Sequence, residues 1–283
     1  MPPVCVGSIV SDMGDGMKIF VICCNYNEVR LGHLPDSLEA LKLAKIAAPE
    51  SVYIGVTDNA SKDGSPELLR RYHEMGIIDC LQLNPRNLGK PRALNLLWHE
   101  LEDRCRIKPY DLIMSLDSDI KLLRTDFFLQ LQRIAYAFKD EYSGIGVPVL
   151  DHDYGYVKLE LCQRRFIHPA TVWMWPYSDG VCGFVAVAPA HAWRAIGGYR
   201  EDCGRNHTSA IYGADDCMLF RDLFAYSGGK PLLMPDVLTS LHPKPSDPGY
   251  QAWKDRTNAI MNRGFGNPDV PDVGYFDDQE QTS

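Results

Sequence analysis

Apolar and β-branched runs alternate along the first half of the chain with stretches whose apolar residues recur at helical spacing. Each run has the length and composition of a buried strand, and the four runs span residues 18–24, 51–58, 77–84 and 111–119. Between the strands, apolar positions fall on single helix faces, as for Leu94, Leu97 and Leu101. This βαβαβαβ order predicts an α/β fold with a mainly parallel sheet and helices on both faces.

Polar segments directly follow each of these four strands. In a parallel α/β sheet, ligands bind beyond the carboxyl ends of the strands. The four segments span residues 25–28, 58–65, 84–95 and 117–119. Because these ends meet at one edge of such a sheet, the segments are expected to form one functional rim.

The second half of the chain is less regular. Residues 181–199 predict a strand, a short helix and a Gly-Gly turn. Residues 213–229 predict a helix that opens with two acids, and residues 230–245 predict strand-like segments. The sequence contains no internal repeat and no linker that would divide it, so we predict one large domain.

Composition narrows the class of protein. The 283 residues are 45% hydrophobic and carry a net charge of −8, which makes nucleic acids and anionic membranes secondary candidates as partners. The nine cysteines are an odd number without a C-x-x-C pair, a pattern that favours a reducing compartment. No apolar run approaches the roughly 20 residues of a membrane-spanning helix. We therefore expect a cytoplasmic protein without an integral membrane segment.

Asp117 and Asp119 stand at the end of the fourth predicted strand, in the stretch DLIMSLDSDIKLL. Residues i and i+2 of a strand point to the same side, so the two carboxylates are expected to converge. Like charges this close repel unless a cation lies between them, and a divalent metal ion with oxygen ligands would satisfy them. The alternative is an acidic surface turn. A second D-x-D, residues 151–153, follows an apolar run that Pro148 interrupts.

The motifs CCNYNE, VTDNASKDGS, NLGKPRALN, SLDSD, GGY and GADDCML occur in this order between residues 18 and 227. This ordered set resembles the GT-A glycosyltransferases, in particular the family 2 group that uses nucleotide sugars. The resemblance implies a Rossmann-like GT-A fold, a nucleoside-diphosphate sugar as donor, and Mn²⁺ or Mg²⁺ as cofactor. UDP-sugars are the expected donors, with GDP-sugars as the alternative.

The resemblance also implies roles for individual residues. It places nucleoside and diphosphate contacts at Tyr26, Asn27, Glu28, Asp58, Asn87, Gly89, Lys90, Asn95, Asp117 and Ser118. It assigns the metal to Asp117 and Asp119, with His242 as a further candidate ligand, as in some related enzymes. The acidic pair Asp215 and Asp216 takes the catalytic position, with Asp216 as the base. The family has Glu where Asp215 stands, and the shorter side chain leaves the division of roles open.

The resemblance also divides the predicted GT-A domain, residues 17–242, into two parts. Residues 17–120 would bind the nucleotide sugar, and residues 121–242 would hold the acceptor and the catalytic acid. Residues 1–16 are expected to be a disordered extension, and residues 243–283 form a polar tail.

Structural alternatives exist for each of these residues. Asp58 lies among residues that form Asx turns, and an aspartate such as Asp216 at a helix start also suits a cap. The alternative for Lys90 is a solvated lysine in the first turn of a helix. Because a helix N-terminus does not favour basic residues, its presence there supports a nearby anionic ligand. Tyr26 could simply pack, and a lone histidine such as His242 is more often structural. Three further aromatic residues, Trp173, Trp175 and Tyr177, are expected in the core or in a subunit contact rather than in a platform for the acceptor.

The function expected from the sequence is a metal-dependent, inverting glycosyl transfer to an acceptor hydroxyl. The acceptor is open between a saccharide and a modified DNA base. A nucleotidyltransferase is an alternative, but it would show a Gly-rich basic loop after the first strand, where the chain has CCNYNEVRLG. A non-catalytic nucleotide-sugar-binding protein is the other alternative, and it would keep Asp58 while tolerating loss of Asp216.

Overall fold

The computed structural model describes residues 16–29, 32–139, 141–147, 163–167, 170–174, 184–201, 214–234 and 239–241. The strands in these ranges are β1 (Ile19–Asn25), β2 (Val52–Asp58), β3 (Cys80–Leu83), β4 (Leu112–Asp117), β5 (Ile120–Leu122), β6 (Tyr142–Gly146), β7 (Gln163–Ile167), β8 (Ala170–Met174), β9 (Val185–Pro189), β10 (Lys230–Leu233) and β11 (Thr239–Leu241). The helices are α1 (His33–Ala47), α2 (Ser65–Glu74), α3 (Lys90–Arg104), α4 (Phe127–Ala137), α5 (Ala190–Ile196) and α6 (Ala214–Ser227).

Nine of these strands form one sheet in the order β3-β2-β1-β4-β9-β6-β10-β8-β7. Strands β3, β2, β1 and β4 are parallel neighbours, as the sequence pattern predicts. Beyond β4 the directions mix, because β9 is antiparallel to both β4 and β6, while β10 is parallel to β6. Strands β8 and β7 add antiparallel pairs at the far edge. The predicted α/β fold with a mainly parallel sheet is confirmed.

The apolar core lies on both faces of the sheet because alternate residues of each buried strand point to opposite sides. In β1, Ile19 and Val21 pack in one cluster with residues of α1 and α4, whereas Phe20 and Ile22 pack in a second cluster with α3, α5 and α6. All four side chains are at most 1% exposed. Burying a side chain of this size stabilises the fold by about 1.5–3 kcal/mol. Helices therefore cover both faces, as predicted.

Two strand boundaries differ from the prediction. Strand β3 begins only at Cys80, because the N–H groups of Ile77 and Ile78 donate to the Tyr72 carbonyl and close the end of α2. Strand β4 ends at Asp117, and Asp119 lies in the turn before β5. Asp117 and Asp119 therefore do not belong to one continuous strand. The alternation of side chains along a strand cannot predict that their carboxylates point to the same side.

Strand β5 forms a separate two-stranded sheet with β11. The pairing is antiparallel and puts Leu241 opposite Ile120. It therefore joins the chain after β10 to the residue that directly follows Asp119.

Of the predicted flanking segments, residues 1–15 and 243–283 lie outside the described residues. Among the described helices, none combines the length and the apolar character needed to cross a bilayer. The described cysteines that carry free thiols are Cys23, Cys24, Cys80, Cys105 and Cys217.

Candidate functional site

The carboxyl ends of β1, β2 and β4 lie side by side. Asn25 pairs in register with Asp58, and Cys24 pairs with both Thr57 and Asp117. Strand register alone therefore brings together three of the four polar segments that the sequence predicts to share one rim. The segment after β3 joins them through the amide contacts described below.

Asp58 is 2% exposed and organises the loop that follows β2. Its Oδ1 accepts a hydrogen bond from the Ser61 N–H at 2.9 Å, and its Oδ2 accepts from Ser61 Oγ at 2.6 Å and from Asn25 Nδ2 at 2.8 Å. Burial raises the pKa of the Asp58 carboxyl above its usual range, and these hydrogen bonds oppose the rise. The Asx-turn alternative is thus present in the structure, and a contact of Asp58 with the nucleoside stays a prediction.

Asn27 ties the loop after β1 to the loop after β2. Its N–H donates to Ser61 Oγ at 2.9 Å, and its Oδ1 accepts from the Lys62 N–H at 2.8 Å. The residue has a φ of 58°, in the left-handed region that asparagine tolerates better than most residues. Its neighbours Tyr26 and Glu28 are half-buried on the same loop, and Glu28 accepts a 3.1 Å hydrogen bond from the His33 ring.

Sequence reasoning missed two residues of this network, Asn25 and Ser61. The fully buried Asn25 amide donates to both Asp58 and Ser61. The signal for Asn25 was its place as the last residue of a buried strand, where an amide needs a polar partner.

Asn87 and Gly89 shape the turn that leads into α3. Asn87 Oδ1 accepts from the Gly89 N–H at 2.9 Å and from Asn59 Nδ2 at 2.6 Å. Gly89 has φ 78° and ψ 151°, a backbone conformation that is essentially confined to glycine. The amide network therefore links the loop after β3 to the loop after β2 and fixes the start of α3.

Lys90, the first residue of α3, lies between two carboxylates. Its Nζ is 2.8 Å from Asp117 Oδ1 and 3.5 Å from Asp216 Oδ1. Asp117 ends β4, whereas Asp216 stands in the first turn of α6, so residues far apart in the chain meet at one ammonium group. The side chains are 27%, 24% and 13% exposed for Lys90, Asp117 and Asp216, so solvent and a ligand can reach the cluster.

Tyr199 is a further member of this cluster. Its hydroxyl donates to Asp216 Oδ1 at 3.0 Å. Tyr199 ends the GGY motif of the resemblance, which implies no role for it. Asp215 belongs to the same first turn of α6, and its side chain lies outside the described part of the structure.

Asn95 is 6% exposed and holds the segment around Tyr199. Its Nδ2 donates to the Tyr199 carbonyl at 2.8 Å and to Glu201 Oε1 at 3.2 Å, and its Oδ1 accepts from the Tyr199 N–H at 3.0 Å. The structure therefore gives Asn95 a structural role, while its predicted contact with the donor stays untested.

Asp119 is half-buried in the turn after β4, and Ser118 beside it is 7% exposed. Among the described residues, no three His, Cys, Asp or Glu side chains form a group that could hold a metal ion by themselves. Asp117 and Asp119 supply hard carboxylate oxygens, which fit a divalent cation that takes further ligands from a diphosphate and water.

Other predicted residues fall outside the description. These are His242, Trp175, Tyr177 and the second acidic pair, Asp151 and Asp153. Trp173 is half-buried and packs against the apolar cluster formed by side chains of α3, α5 and α6. The interpretation of this residue as part of the core is confirmed.

Comparison with known proteins gives similarity at the level of the fold. No protein-family model and no curated protein sequence matches the chain. Among solved structures, the mannosyltransferase PcManGT from Pyrobaculum calidifontis, in complex with GDP-Man and Mn²⁺, superposes with a TM-score of 0.59 at 16% identity, over 90% of this chain and 66% of that protein. The chain thus spans about two thirds of that protein's length.

Two further structures share the same architecture. TarS residues 1–349 from S. aureus, in complex with UDP-GlcNAc, match with a TM-score of 0.57 and 11% identity over 92% of this chain and 69% of that one. GalNAc-T7 with UDP, GalNAc and Mn²⁺ matches with a TM-score of 0.55 and 13% identity over 80% of this chain and 44% of that one. The chain has the GT-A fold, and the resemblance drawn from its motifs is confirmed at that level.

Proposed function

We propose that the protein is a metal-dependent glycosyltransferase that moves a sugar from a nucleoside-diphosphate sugar to an acceptor hydroxyl. The observation that carries the proposal is the contact of Lys90 with both Asp117 and Asp216. Asp117 is predicted to lie near the diphosphate, and Asp216 is predicted to act as the base. Both carboxylates are within reach of the Lys90 ammonium group. A sugar bound across this cluster would have its leaving group on one side and a carboxylate on the other.

The donor would bind along the carboxyl ends of β1 and β2. We assign the nucleoside to Tyr26, Asn27, Glu28 and Asp58, whose loops are tied together by hydrogen bonds. A preformed loop of this kind reduces the conformational entropy lost on binding. UDP and GDP are both candidate nucleotides, since the donors named in the similar structures carry one or the other.

The diphosphate would lie at the start of α3, near Asn87, Gly89 and Lys90. A helix N-terminus favours negative charge, and Lys90 adds a full positive charge there. Asp117 and Asp119 would hold Mn²⁺ or Mg²⁺, with Ser118 alongside. When bound, the cation would neutralise charge on the departing nucleoside diphosphate. His242, which follows Leu241 in the sequence, is the further candidate ligand that the resemblance suggests.

Asp216 would act as general base, with Asp215 beside it in the sequence. It would take the proton from the acceptor hydroxyl as the oxygen attacks the anomeric carbon and the bond to the diphosphate breaks. A single displacement of this kind inverts the anomeric centre. The acceptor, a saccharide or a modified base, would approach from the α6 side of the cluster.

The test is release of nucleotide from UDP-, GDP-, dTDP- and CMP-linked sugars, with Mn²⁺, Mg²⁺ or a chelator. Release from one donor that needs the metal, is lost in Asp117→Ala and is retained in Asp103→Asn would support the proposal. Asp103 is exposed on α3, so its variant controls for the loss of one acid elsewhere on the protein. No release, together with no donor binding in a thermal-shift assay, would contradict the proposal.

A further inference from the structure

We propose that Tyr199 is a positioning residue of the transfer reaction, whose phenol holds the Asp216 carboxylate in the orientation needed to accept a proton. This inference rests on the proposed function of Asp216. The two residues are joined by a hydrogen bond from the Tyr199 hydroxyl to Asp216 Oδ1, 3.0 Å long.

The Tyr199 ring is fixed by its surroundings. The residue is 2% exposed, and the Trp193 ring meets it edge to face at a centroid distance of 5.6 Å. The Lys90 ammonium lies 5.9 Å from the centre of the ring. Because a buried aromatic side chain has few rotamers available, the hydroxyl has little freedom to follow a moving carboxylate. The carboxylate is instead held by the hydroxyl.

The main chain at Tyr199 is fixed as well. Asn95, on α3, accepts a hydrogen bond from the Tyr199 N–H at its Oδ1, 3.0 Å long. Its Nδ2 donates a hydrogen bond to the Tyr199 carbonyl at 2.8 Å. The preceding Gly198 has a φ of 76°, and a Cβ there would lie 2.6 Å from Asn95 Oδ1. Only glycine therefore lets the chain come close enough to α3 for Asn95 to hold both main-chain groups of Tyr199.

These contacts have a consequence for the base. Asp216 stands in the first turn of α6, with the Lys90 ammonium 3.5 Å from its Oδ1, and an aspartate that could rotate would spend part of its time turned away from the acceptor. A hydrogen bond from a rigid phenol restricts that rotation and keeps the carboxylate aimed at the acceptor. Tyr199 would thus act on the reaction through Asp216.

The experiment compares Tyr199→Phe, which keeps the ring and removes the hydroxyl, with Tyr53→Phe as the matched control. Tyr53 stacks on Phe20 at a centroid distance of 5.1 Å near the start of β2, at the opposite end of the sheet from the site. We expect Tyr199→Phe to lower kcat with the active donor about 10- to 100-fold, the effect of losing one hydrogen bond to a charged group. The donor Kd and the Tm should stay near the wild-type values, and Tyr53→Phe should behave as wild type.

A second arm separates positioning from general packing. In a protein that already carries Asp216→Asn, adding Tyr199→Phe should cause no further loss of kcat, because the hydroxyl acts through the carboxylate that has been removed. The same fold-loss in both backgrounds, an unchanged kcat in Tyr199→Phe alone, or a weakened donor Kd would overturn the inference.

Crystal structures of wild type and Tyr199→Phe give a readout that does not depend on turnover. Asp216 is expected to change rotamer or become disordered in the variant, and an unmoved carboxylate would overturn the inference. A wild-type protein that neither consumes nor binds a nucleotide sugar would overturn the proposed function, while this comparison would still decide whether Tyr199 holds Asp216.

Discussion

The two halves of the sheet are built in different ways. From β3 to β4 every pair of neighbours is parallel, and the loops at the carboxyl ends are tied to each other by short amide and hydroxyl contacts such as Asn27 with Ser61. From β9 to β7 the strand directions mix, and the pairing of β10 with β6 shifts register between Lys230 and Leu232. The loops of the first half are thus held to one another by hydrogen bonds. The second half brings only individual side chains, Asp216 and Tyr199 among those described, to the same cluster.

This difference suggests a division of labour. Asp58 ends β2, and Asn87 lies in the loop after β3, so the proposed nucleotide site would be preorganised once the parallel half is folded. Asp216 and Tyr199 come from the mixed half and contact Lys90 and Asn95 on α3. Binding would therefore depend on the first half, and chemistry on its junction with the second.

The largest effect should come from breaking that junction at the proposed base. Asp216→Asn is expected to lower kcat about 1,000-fold, within the range for loss of a general base, while the donor Kd changes less than threefold. Steady-state kinetics with the active donor, together with calorimetric titration of the same donor, would measure both. An equal loss of donor affinity would mean that Asp216 belongs to the nucleotide site, and the division of labour would be wrong.

A second prediction asks whether the two halves unfold together. Leu94, on α3, and Leu219, on α6, are at most 1% exposed in the same apolar cluster. Each change to alanine should lower the free energy of unfolding by about 2–5 kcal/mol. Since one cluster spans both helices, both variants should show a single denaturant transition. Leu96→Ala, at a position 43% exposed on α3, is the control and should change stability by less than about 0.5 kcal/mol.

Two separate transitions, with Leu94→Ala shifting one and Leu219→Ala the other, would contradict this prediction. The halves would then be independent folding units, and the site would lie between them.

The smallest predicted effect concerns Asp126, just before α4. The Arg124 guanidinium, with help from Gln130, lowers the pKa of the Asp126 carboxyl to about 2. Because the folded-state pKa lies below the ordinary value of 3.8, this group adds stability above about pH 4, and the contribution is lost as the pH falls toward 2. The pair is largely exposed, so the contribution should be below about 1 kcal/mol.

Denaturant unfolding of wild type and Asp126→Asn between pH 2 and pH 6 would measure it. The stability difference between the two ends of this range should be smaller in Asp126→Asn than in wild type by up to about 1 kcal/mol, whereas Asp103→Asn should keep the wild-type difference. An identical pH dependence in wild type and Asp126→Asn would contradict the assignment to Asp126.

The parallel half could be predicted because each of its units is local. The apolar runs that become β1, β2 and β4 show directly in the sequence, and the crossover rule sets their direction. The start of β3 could not be predicted in the same way. Ile77 and Ile78 are as strand-like as Cys80, but the Tyr72 carbonyl takes their N–H groups into the end of α2. Competition for main-chain partners is not visible in side-chain composition.

For the candidate site, sequence reasoning found the loops but not the division of roles within them. The sequence predicts a nucleoside contact for Asp58, which stays a prediction, and the structure adds that this carboxylate accepts hydrogen bonds from Ser61 and Asn25. The resemblance places Asn95 among the donor contacts, which stays a prediction, and the structure adds its hydrogen bonds to the main chain of Tyr199. Such roles depend on which distant segment comes close to a side chain, and local patterns carry no information about that approach.

The pairing of β5 with β11 affects the order in which the site is assembled during synthesis. Strand β5 directly follows the turn of Asp117 and Asp119, but its partner β11 leaves the ribosome long after the parallel half has been made. Contacts between segments so far apart in the chain form slowly, since a long loop must close first. Strands β1 to β4 can fold while the acidic turn still has an unpaired edge. The turn that carries the proposed metal ligands would therefore be among the last parts of the molecule to reach its final form.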